Sequence, residues 1–365
     1  MGKILLASTP VGALGSGIGG GVEFSIQIEA RALLQKAHQV TILAPAGSIA
    51  PGIDLETVPG DWQLSAQTLD WDSPITMTDN GVLANLWERA RSLQTQYDVI
   101  INYAYDWLPF YLTPFFQTPV AHSLTMAALN ATMQRTVQNI HQQLPERLRF
   151  LSHAQAATFG LTIGYQLIPN ALDLDLYQFC AEPADYIAWV GRISPEKGLE
   201  DAIAACQSQG YPLRIYGKLQ DQGYWQSLQT EFPQADVQYC GFLSTQALQQ
   251  ELRQSRALLM TPRWVEAFGN NVIEALACGV PVIAYERGGP AEIIQSGLTG
   301  WLVEPDNVQA LGQALQNLDQ LDRQACRRQV ERFYSLPAIA EHLDNWLQAI
   351  LASSQGTGKT TKYSS

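Results

Sequence analysis

Two carboxylates, Glu266 and Glu274, stand on either side of a glycine turn and are separated by seven residues. An apolar, strand-like run precedes them at residues 257–261, and a helical pattern follows at residues 270–278. Gly269 removes side-chain bulk at the turn, and the free N–H groups of the new helix favour an anion there. An anion site between two carboxylates suits a phosphorylated ligand rich in hydroxyl groups, and a nucleotide-sugar fits that description.

Two cations, Arg192 and Lys197, occupy a second strand-to-helix loop. A strand-like run at residues 186–191 precedes this loop, and a helical pattern at residues 199–207 follows it. An arginine and a lysine beside a helix N-terminus can clamp a diphosphate, whereas the alternative is a solvated basic turn. The loop is expected at the carboxyl edge of an α/β sheet, where ligands bind, and this position favours the diphosphate.

A glycine loop near the N-terminus contains Gly15, Gly17 and Gly20 in a G-x-G-x-x-G spacing between a strand and a helix. A dinucleotide site normally has an acidic residue at the end of the second strand, where this chain has Leu43-Ala44-Pro45. An NAD-dependent oxidoreductase is therefore disfavoured. The loop can still pass close to phosphates or to a substrate.

Aromatic and polar side chains follow the next strand-like run, and they include Tyr103, Tyr105, Asp106 and Trp107. Most aromatic residues of this kind pack in a core, but at the carboxyl edge of a sheet they can also stack a flat ring of an acceptor. His122 ends a further short strand and is evenly balanced between a ligand contact and a scaffold role.

These residues require two successive doubly wound α/β domains, because βα units alternate along the chain and restart after a polar junction. Residues 51–81 interrupt the first domain with a polar segment that we expect to be irregular. The expected divisions are an N-terminal acceptor domain at 1–170, a nucleotide-sugar domain at 171–335, a returning helix at 336–352 and a flexible tail at 353–365.

The composition narrows the partners. The formal net charge of −12 disfavours nucleic acid and anionic membranes. Five scattered cysteines without a C-x-x-C pair favour reduced thiols over disulfides or metal ligation. The first apolar run is too short for a signal peptide, and no stretch has the length of a membrane span, so we expect a cytoplasmic protein.

The order and spacing of several motifs resemble the family 4 retaining glycosyltransferases, and the match is strongest over residues 189–305. These motifs are Asn170 after Ile-Pro, Gly191-Arg192, Pro195-Glu196-Lys197-Gly198, Glu266-Ala267-Phe268-Gly269, Glu274-Ala275, Gly279-Val280-Pro281-Val282 and the turn at 300–305. In the N-terminal half the match is limited to the glycine loop and His122, and Ala171 replaces a frequent glycine. The resemblance implies the GT-B fold, in which two Rossmann-like domains face a central cleft and a C-terminal helix crosses back to the N-terminal domain.

The resemblance also implies a role for each matching residue. Arg192 and Lys197 would hold the diphosphate, Glu274 the ribose and Glu266 the donor sugar, with His122 near the sugar or the reacting centre. The remaining donor contacts would come from Gly19 and Gly20 beneath the phosphates, from Phe242 and Leu243 at the base, and from the backbone of Phe268, Gly269, Asn270 and Asn271.

The implied reaction needs no metal, because Arg192, Lys197 and helix N-termini can stabilise the leaving diphosphate. Asp173-Leu-Asp175 has an Asp-x-Asp spacing but lies in the junction. No enzyme nucleophile is evident, so the family's retention is expected through same-face attack assisted by the leaving phosphate.

The acceptor is less constrained by the motifs. Residues 1–150 contain no cationic helix, and tight basic pairs such as Arg147 with Arg149 are few, which favours a small soluble acceptor over a lipid. The overall sequence is also similar to cyanobacterial tetrahydrobiopterin glucosyltransferases, which implies UDP-glucose as donor and a pterin as acceptor. A sugar, polyol or lipid acceptor remains an alternative, as does a non-catalytic nucleotide-sugar-binding protein.

Overall fold

The computed structural model describes residues 1–18, 20–68, 71–74, 76 and 78–356. The chain forms two compact units: Met1–Ala171 together with the chain from Leu336 onwards, and Leu172–Ser335.

The strands of the described residues lie in two sheets in which all neighbours are parallel. In chain order they are β1 (Lys3–Ala7), β2 (Gln39–Pro45), β3 (Asp54–Val58), β4 (Val99–Asn102), β5 (Val120–Ser123), β6 (Leu148–Phe150), β7 (Gln166–Leu167), β8 (Ile187–Val190), β9 (Leu213–Tyr216), β10 (Val237–Tyr239), β11 (Ala257–Met260), β12 (Val282–Tyr285) and β13 (Gly300–Val303).

The helices connect and cover these strands. In chain order they are α1 (Gly21–Gln35), α2 (Val82–Leu93), α3 (Trp107–Leu112), α4 (Ala131–Gln143), α5 (His153–Thr158), α6 (Leu199–Gln209), α7 (Gln222–Glu231), α8 (Thr245–Leu252), α9 (Asn270–Ala277), α10 (Gly289–Ile293), α11 (Val308–Gln316), α12 (Arg323–Phe333) and α13 (Leu336–Gly356).

The first unit has the strand order β3-β2-β1-β4-β5-β6-β7. The order reverses between β1 and β4, so the loops that follow these two strands flank the switch point of the sheet. Ile4, Leu6 and Ile101 are fully buried because helices cover both faces, which explains the unbroken apolar runs of the central strands. One strand, β3, lies within the segment expected to be irregular.

The C-terminal helix α13 packs on this first unit. Its apolar residues Leu343, Trp346 and Ile350 are buried in the same cluster as Ile26 and Leu33 of α1. The helix continues through residues 353–356, which were expected to begin the tail. There the hydroxyl oxygen of Ser353 lies within hydrogen-bond distance of two acceptors, the carbonyl of Ile350 at 2.9 Å and Glu146 at 3.0 Å. The rest of the expected tail lies outside the described residues.

The second unit has the strand order β10-β9-β8-β11-β12-β13. The order reverses between the neighbouring strands β8 and β11, in which Trp189 pairs with Leu259. The loops that carry the two cations and the first carboxylate follow these two neighbouring strands. The sequence motifs therefore lie together at the switch point, where open α/β sheets bind ligands.

Candidate active site

The two switch-point loops of the second unit are tied to each other through their backbones. The N–H of Arg263, after β11, donates to the carbonyl of Glu196, after β8, at 2.9 Å. The hydroxyl of Thr261 donates to the carbonyl of Gly198 at 2.7 Å, and the indole N–H of Trp189 donates to that hydroxyl at 3.3 Å. The loops therefore form one structure that fixes the entries of α6 and α9.

Glycine is required where these two helices begin. Gly198 has φ +61° and Gly269 has φ +94°, a region that side chains adopt only with strain. A Cβ at position 198 would collide with the carbonyl of Thr261, so only glycine permits the close approach of the two loops. At position 269 a Cβ would press on Pro290 at 3.0 Å.

Lys197 and Glu266 form an ion pair in which the ammonium nitrogen lies 2.5 Å from Oε2. Their side chains are 17% and 19% exposed, so a ligand can reach them. The indole N–H of Trp264 donates to the same carboxylate oxygen at 3.0 Å, and the Lys197 ammonium lies 4.6 Å from the centre of the indole ring. The N–H of Gly289 donates to the backbone carbonyl of Glu266 and fixes the loop that carries this carboxylate.

The charge of Glu266 is retained despite burial. Burial by itself raises the pKa of this carboxyl group, but the charge and hydrogen bond of Lys197, the indole N–H of Trp264 and the charge of Arg192 together lower the pKa below its ordinary value. Glu266 is therefore an anion that accepts hydrogen bonds, which suits sugar hydroxyl groups.

Arg192 lies beside this pair and is held by its own partners. Its guanidinium is 3.1 Å from Glu196 and donates to Gln220 at 2.7 Å, and its Cζ lies 5.7 Å from the centre of the Trp264 ring. The same indole thus contacts both predicted diphosphate cations. A small cavity opens beside Lys197 and is lined by Trp189, Val190, Lys197, Met260, Thr261, Pro262 and Asn271.

Asn271 and Glu274 lie on one face of α9, three residues apart. The amide of Asn271 donates to the carbonyl of Val190 at 2.8 Å, which ties α9 to the end of β8. Burial raises the pKa of Glu274, and a hydrogen bond from Tyr177 at 3.2 Å opposes that rise. Phe268 is buried beside the ring of Tyr334, so its side chain is scaffold and only its backbone can meet a ligand.

The predicted base contacts follow β10. Phe242 is 67% exposed, and the neighbouring Gly241 accepts a hydrogen bond from the N–H of Gly217 at 2.9 Å. Gly217, with φ +141°, permits close backbone contact with Gly191 at the end of β8. The loops after β8, β9 and β10 are thus in contact in series, and Phe242 and Leu243 lie at the end of that series.

The glycine loop of the first unit binds a carboxylate of its own chain. The N–H groups of Gly15 and Gly17 donate to Oε2 of Glu23 at 2.7 and 3.0 Å. Gly20 precedes α1 with φ +69°, and the predicted contact Gly19 lies outside the described residues. Sequence patterns did not indicate the role of Glu23, although its place in the first turn of α1 is typical of a carboxylate that accepts free N–H groups.

The predicted acceptor residues follow β4 and divide into two groups. Tyr105, Asp106 and Trp107 are half-buried, and burial raises the pKa of Asp106, whose carboxylate caps α3 through the N–H of Leu108. Tyr103 is 1% exposed and donates to Glu29 at 2.5 Å. The ring of Tyr103 belongs to the core, so the predicted acceptor contact of Tyr103 stays a prediction that would need this ring to be uncovered.

His122 lies among packed side chains of the first unit. It is fully buried, its ring stacks on Phe110 at 3.9 Å, and its nitrogens meet Asn102 at 3.2 Å and Thr113 at 2.9 Å. Burial, with a smaller contribution from the positive charge of Arg147, lowers its pKa to about 3. The sugar contact implied for His122 stays a prediction, and it would require one ring nitrogen to exchange its present partner.

Sequence reasoning missed two residues of the second unit's site. Trp264 lies between the matched motifs, and only its position two residues before the Glu-Ala-Phe-Gly motif could have drawn attention to it. Tyr177 lies in the stretch assigned to the domain junction, so no pattern connected it with Glu274.

The described residues contain no cluster of three or more His, Cys, Asp or Glu side chains suited to a metal ion. Within the same part of the chain, every helix is too short or too polar to cross a membrane.

Comparisons with known proteins give one family model and several relatives. Residues 180–333 match the family model for glycosyl transferases group 1. Sucrose synthase 6 from Arabidopsis thaliana is 45% identical over 53 residues, which are 14% of this chain and 6% of that protein. The amylovoran biosynthesis glycosyltransferase AmsK from Erwinia amylovora is 30% identical over 169 residues, 42% of this chain and 40% of that protein. The chain thus spans less than half the length of these curated relatives.

A solved structure resembles nearly the whole chain. Alr3699/HepE from Anabaena, in complex with UDP and glucose, has a TM-score of 0.73 at 18% identity, with 96% of this chain and 100% of that chain covered. This likeness shows the fold, two parallel-sheet Rossmann-like units of the GT-B type.

Proposed function

We propose, from the match of residues 180–333 to the family model for glycosyl transferases group 1, that this chain transfers a hexose from a UDP-sugar to a small soluble acceptor. The observation that carries the proposal is the Lys197–Glu266 ion pair beside Arg192, at the switch point where α6 and α9 begin. A cation pair, an ionised carboxylate and free helix N–H groups suit a ligand with a diphosphate and many hydroxyl groups.

Each side chain would act on one part of the donor. Arg192 and Lys197 would hold the diphosphate, so that negative charge on the departing nucleoside diphosphate is stabilised as it develops. Glu266 would accept hydrogen bonds from the sugar hydroxyls, and Glu274 from the ribose. The backbone from residue 268 to 271 would meet the sugar and the phosphates, and Phe242 with Leu243 would lie against the base.

Donor binding would require an exchange of partners. The Lys197 ammonium is bound to Glu266, and the Arg192 guanidinium to Glu196. A diphosphate would draw both cations towards itself, and hydroxyl groups of the sugar would then replace Lys197 as donors to Glu266. The phosphate and sugar portions of the donor would therefore bind cooperatively.

We further propose that the hexose is glucose and that transfer retains the anomeric configuration through same-face attack, which would give an α-glycoside. The solved Anabaena protein holds UDP and glucose, which supports the choice of donor. Free cysteines throughout the chain fit a reducing compartment such as the cytoplasm. The proposed cations and helix N-termini leave no step that needs a metal.

A pterin such as tetrahydrobiopterin is the proposed acceptor. Tyr105, Asp106 and Trp107 support this choice, because half-buried aromatic rings and a carboxylate at the switch point of the first unit suit a flat heterocycle with N–H donors. A sugar, polyol or lipid acceptor is the alternative, and AmsK, an amylovoran biosynthesis glycosyltransferase, makes a saccharide acceptor the first of these to test.

Calorimetry with UDP tests the donor site. Lys197→Ala should weaken UDP binding and reduce transfer, by about 2–4 kcal/mol in transition-state stabilisation. Lys3→Ala, at an exposed lysine of β1, is the matched control and should bind UDP like the wild type. The donor assignment fails if the wild-type protein does not bind UDP.

A donor panel against pterin, polyol and sugar acceptors, followed by mass spectrometry, tests the reaction. A pterin that gains one hexose would support the acceptor, and transfer only to saccharides would replace it. Tight UDP-glucose binding without transfer or hydrolysis would favour the non-catalytic alternative.

A further inference from the structure

The segment at the start of the second unit, which contains Tyr177 and Cys180, runs along the carboxyl end of α9. Arg327 of α12 donates from one guanidinium nitrogen to the carbonyls of Tyr177 and Ala277, at 2.8 and 2.9 Å. The N–H of Cys180 donates to the carbonyl of Cys278 at 3.1 Å. These bonds fix the backbone at Tyr177 against the carboxyl end of the helix that carries Glu274.

The fixed backbone places the Tyr177 hydroxyl on Glu274. The ring is 3% exposed, and the hydroxyl donates to Oε1 of Glu274 at 3.2 Å. Within the described residues, Tyr177 is the side chain that hydrogen-bonds to this carboxylate. Oε1 is thus hydrogen-bonded to a buried side chain, whereas Oε2 accepts no hydrogen bond from a side chain of these described residues.

We infer that Tyr177 is a positioning residue that orients Glu274 towards the ribose and makes the site selective for nucleotides with ribose hydroxyls. The inference rests on the proposed function, in which Glu274 meets the ribose. A glutamate on a helix surface samples several rotamers, and ordering it costs free energy at each binding event. A buried donor to Oε1 orders the side chain before the nucleotide binds, so less free energy is lost on binding. It also leaves Oε2 able to accept from a ribose hydroxyl.

The electrostatics of the contact act in the same direction. Burial raises the pKa of Glu274, and the Tyr177 hydroxyl opposes the rise by stabilising the ionised form. The nearby Cys278 has a pKa raised to about 12 by burial and stays neutral. Tyr177 is also a neutral donor at ordinary pH, since burial and the Glu274 charge raise its pKa.

The test compares Tyr177→Phe with the wild type in calorimetric titrations with UDP, 2′-deoxy-UDP and 3′-deoxy-UDP. The wild type should prefer UDP over at least one deoxy analogue by about tenfold, because a hydrogen bond to a charged group is lost. In the variant, UDP binding should weaken by roughly the same factor while binding of that analogue is unchanged, so the preference disappears. KM for the UDP-sugar should rise with kcat unchanged.

Two further proteins separate positioning from a general loss of structure. Tyr186→Phe removes another buried tyrosine hydroxyl of the same unit, which donates to the carbonyl of Glu251, and it should keep the preference for UDP. Tyr177→Met also lacks the hydroxyl and fills much of the same space, so its loss of preference would support the inference even if Tyr177→Phe is poorly folded.

The outcomes distinguish the inference from the function on which it rests. A wild type that binds no UDP overturns both. A wild type that binds UDP and both deoxy analogues equally overturns the role of Glu274 and Tyr177 but leaves the donor site standing. A folded Tyr177→Phe or Tyr177→Met protein that keeps the wild-type preference overturns the positioning role alone.

Discussion

The Lys197 ammonium and the Glu266 carboxylate are 2.5 Å apart, in the loops that follow two neighbouring strands. The residue proposed to bind the diphosphate and the residue proposed to bind the sugar therefore neutralise each other's charge. On the proposed function, the donor would compete with this pair for both groups. UDP, which lacks the sugar, would draw Lys197 towards the diphosphate and supply no hydroxyl group of a sugar to Glu266. The pair should therefore oppose UDP binding and favour binding of the complete UDP-sugar.

Glu266→Gln is expected to bind UDP more tightly than the wild type while losing transfer. The neutral amide competes less for Lys197, and release of a partly exposed pair of this kind is worth about 1 kcal/mol, roughly fivefold in affinity. Loss of the sugar contact should lower kcat by about a hundredfold or more. Calorimetry with UDP and a hexose-transfer assay measure the two effects.

Glu231→Gln is the matched control, because Glu231 is an exposed glutamate at the end of α7. It should leave both UDP affinity and transfer unchanged. Weaker UDP binding by Glu266→Gln would show that the carboxylate supports the diphosphate site instead of competing with it.

The pH dependence of UDP binding is expected to report on Glu274. Burial raises the pKa of this carboxyl group, so protonation on acidification begins above the usual range of a glutamate and removes its ability to accept from the ribose. UDP affinity should fall as the pH falls. Because UDP itself titrates near pH 6, the diagnostic quantity is the affinity ratio of wild type to Glu274→Gln, which should fall towards one at low pH.

Glu274→Gln is also expected to stabilise the fold. The folded-state pKa lies above the unfolded value, so the carboxyl group destabilises the folded state at neutral pH, and this penalty disappears as the pH falls through the raised pKa. An amide of the same shape should raise the free energy of unfolding at pH 7 by about 1 kcal/mol, while UDP binding weakens. Urea unfolding checks this, and a less stable variant would mean that the carboxylate is well solvated in the fold.

The sequence predicts the parts of the site whose signals are local. Strand, loop and helix follow one another within about ten residues at Lys197 and again at Glu266, so their placement at the carboxyl edge of a sheet was predictable. Their contact was not, because it depends on β8 and β11 being neighbours across a long stretch of chain. The contact of Tyr177 with Glu274 was not predictable for the same reason, since the two residues are 97 positions apart in the sequence.

Side-chain direction and edge position explain where the structure differs from the simplest interpretation of the sequence. His122 and Tyr103 follow or end strands at the expected edge, but side-chain direction at a strand end alternates, and both point into packed layers. The strand β3 was missed because its Asp54-Leu-Glu-Thr-Val sequence is polar for a parallel strand, and an edge position tolerates this composition.

Gly198→Ala is expected to lower both the stability of the fold and the affinity for UDP. Gly210→Ala should lower the stability slightly and leave the affinity for UDP unchanged. These glycines flank α6 and have similar left-handed conformations, with φ +61° and +72°. Conformation alone costs about 1–2 kcal/mol at either position. At position 198 the methyl group also collides with the carbonyl of Thr261, while nothing lies within 4 Å at position 210.

The comparison therefore isolates the contact between the two loops. We expect Gly198→Ala to lower the free energy of unfolding by about 3 kcal/mol or more and to weaken UDP binding, since the collision separates Lys197 from Glu266. Gly210→Ala should bind UDP like the wild type. Equal effects of the two variants on UDP affinity would mean that the close approach of the loops is not needed for binding.

The buried imidazole of His122 is expected to make the first unit sensitive to acid. Its folded pKa is lowered to about 3, mainly by burial, while the ordinary value is 6.5. Above pH 6.5 the ring is neutral in both states and contributes no pH dependence. As the pH falls from 6.5 towards 3, the unfolded chain binds a proton that the folded chain excludes, and stability falls by up to about 1.4 kcal/mol per pH unit.

His122→Gln should remove this slope, because an amide can still bond to Thr113 and Asn102 but does not titrate. Urea unfolding of the wild type and the variant at pH 7, 6 and 5 measures the slope, and the difference between the two proteins cancels the other titrating groups. His342→Gln, at an exposed histidine of α13, should keep the wild-type slope. An unchanged slope in a folded His122→Gln protein would contradict the lowered pKa of His122. Loss of hexose transfer despite normal folding at pH 7 would support the predicted ligand contact.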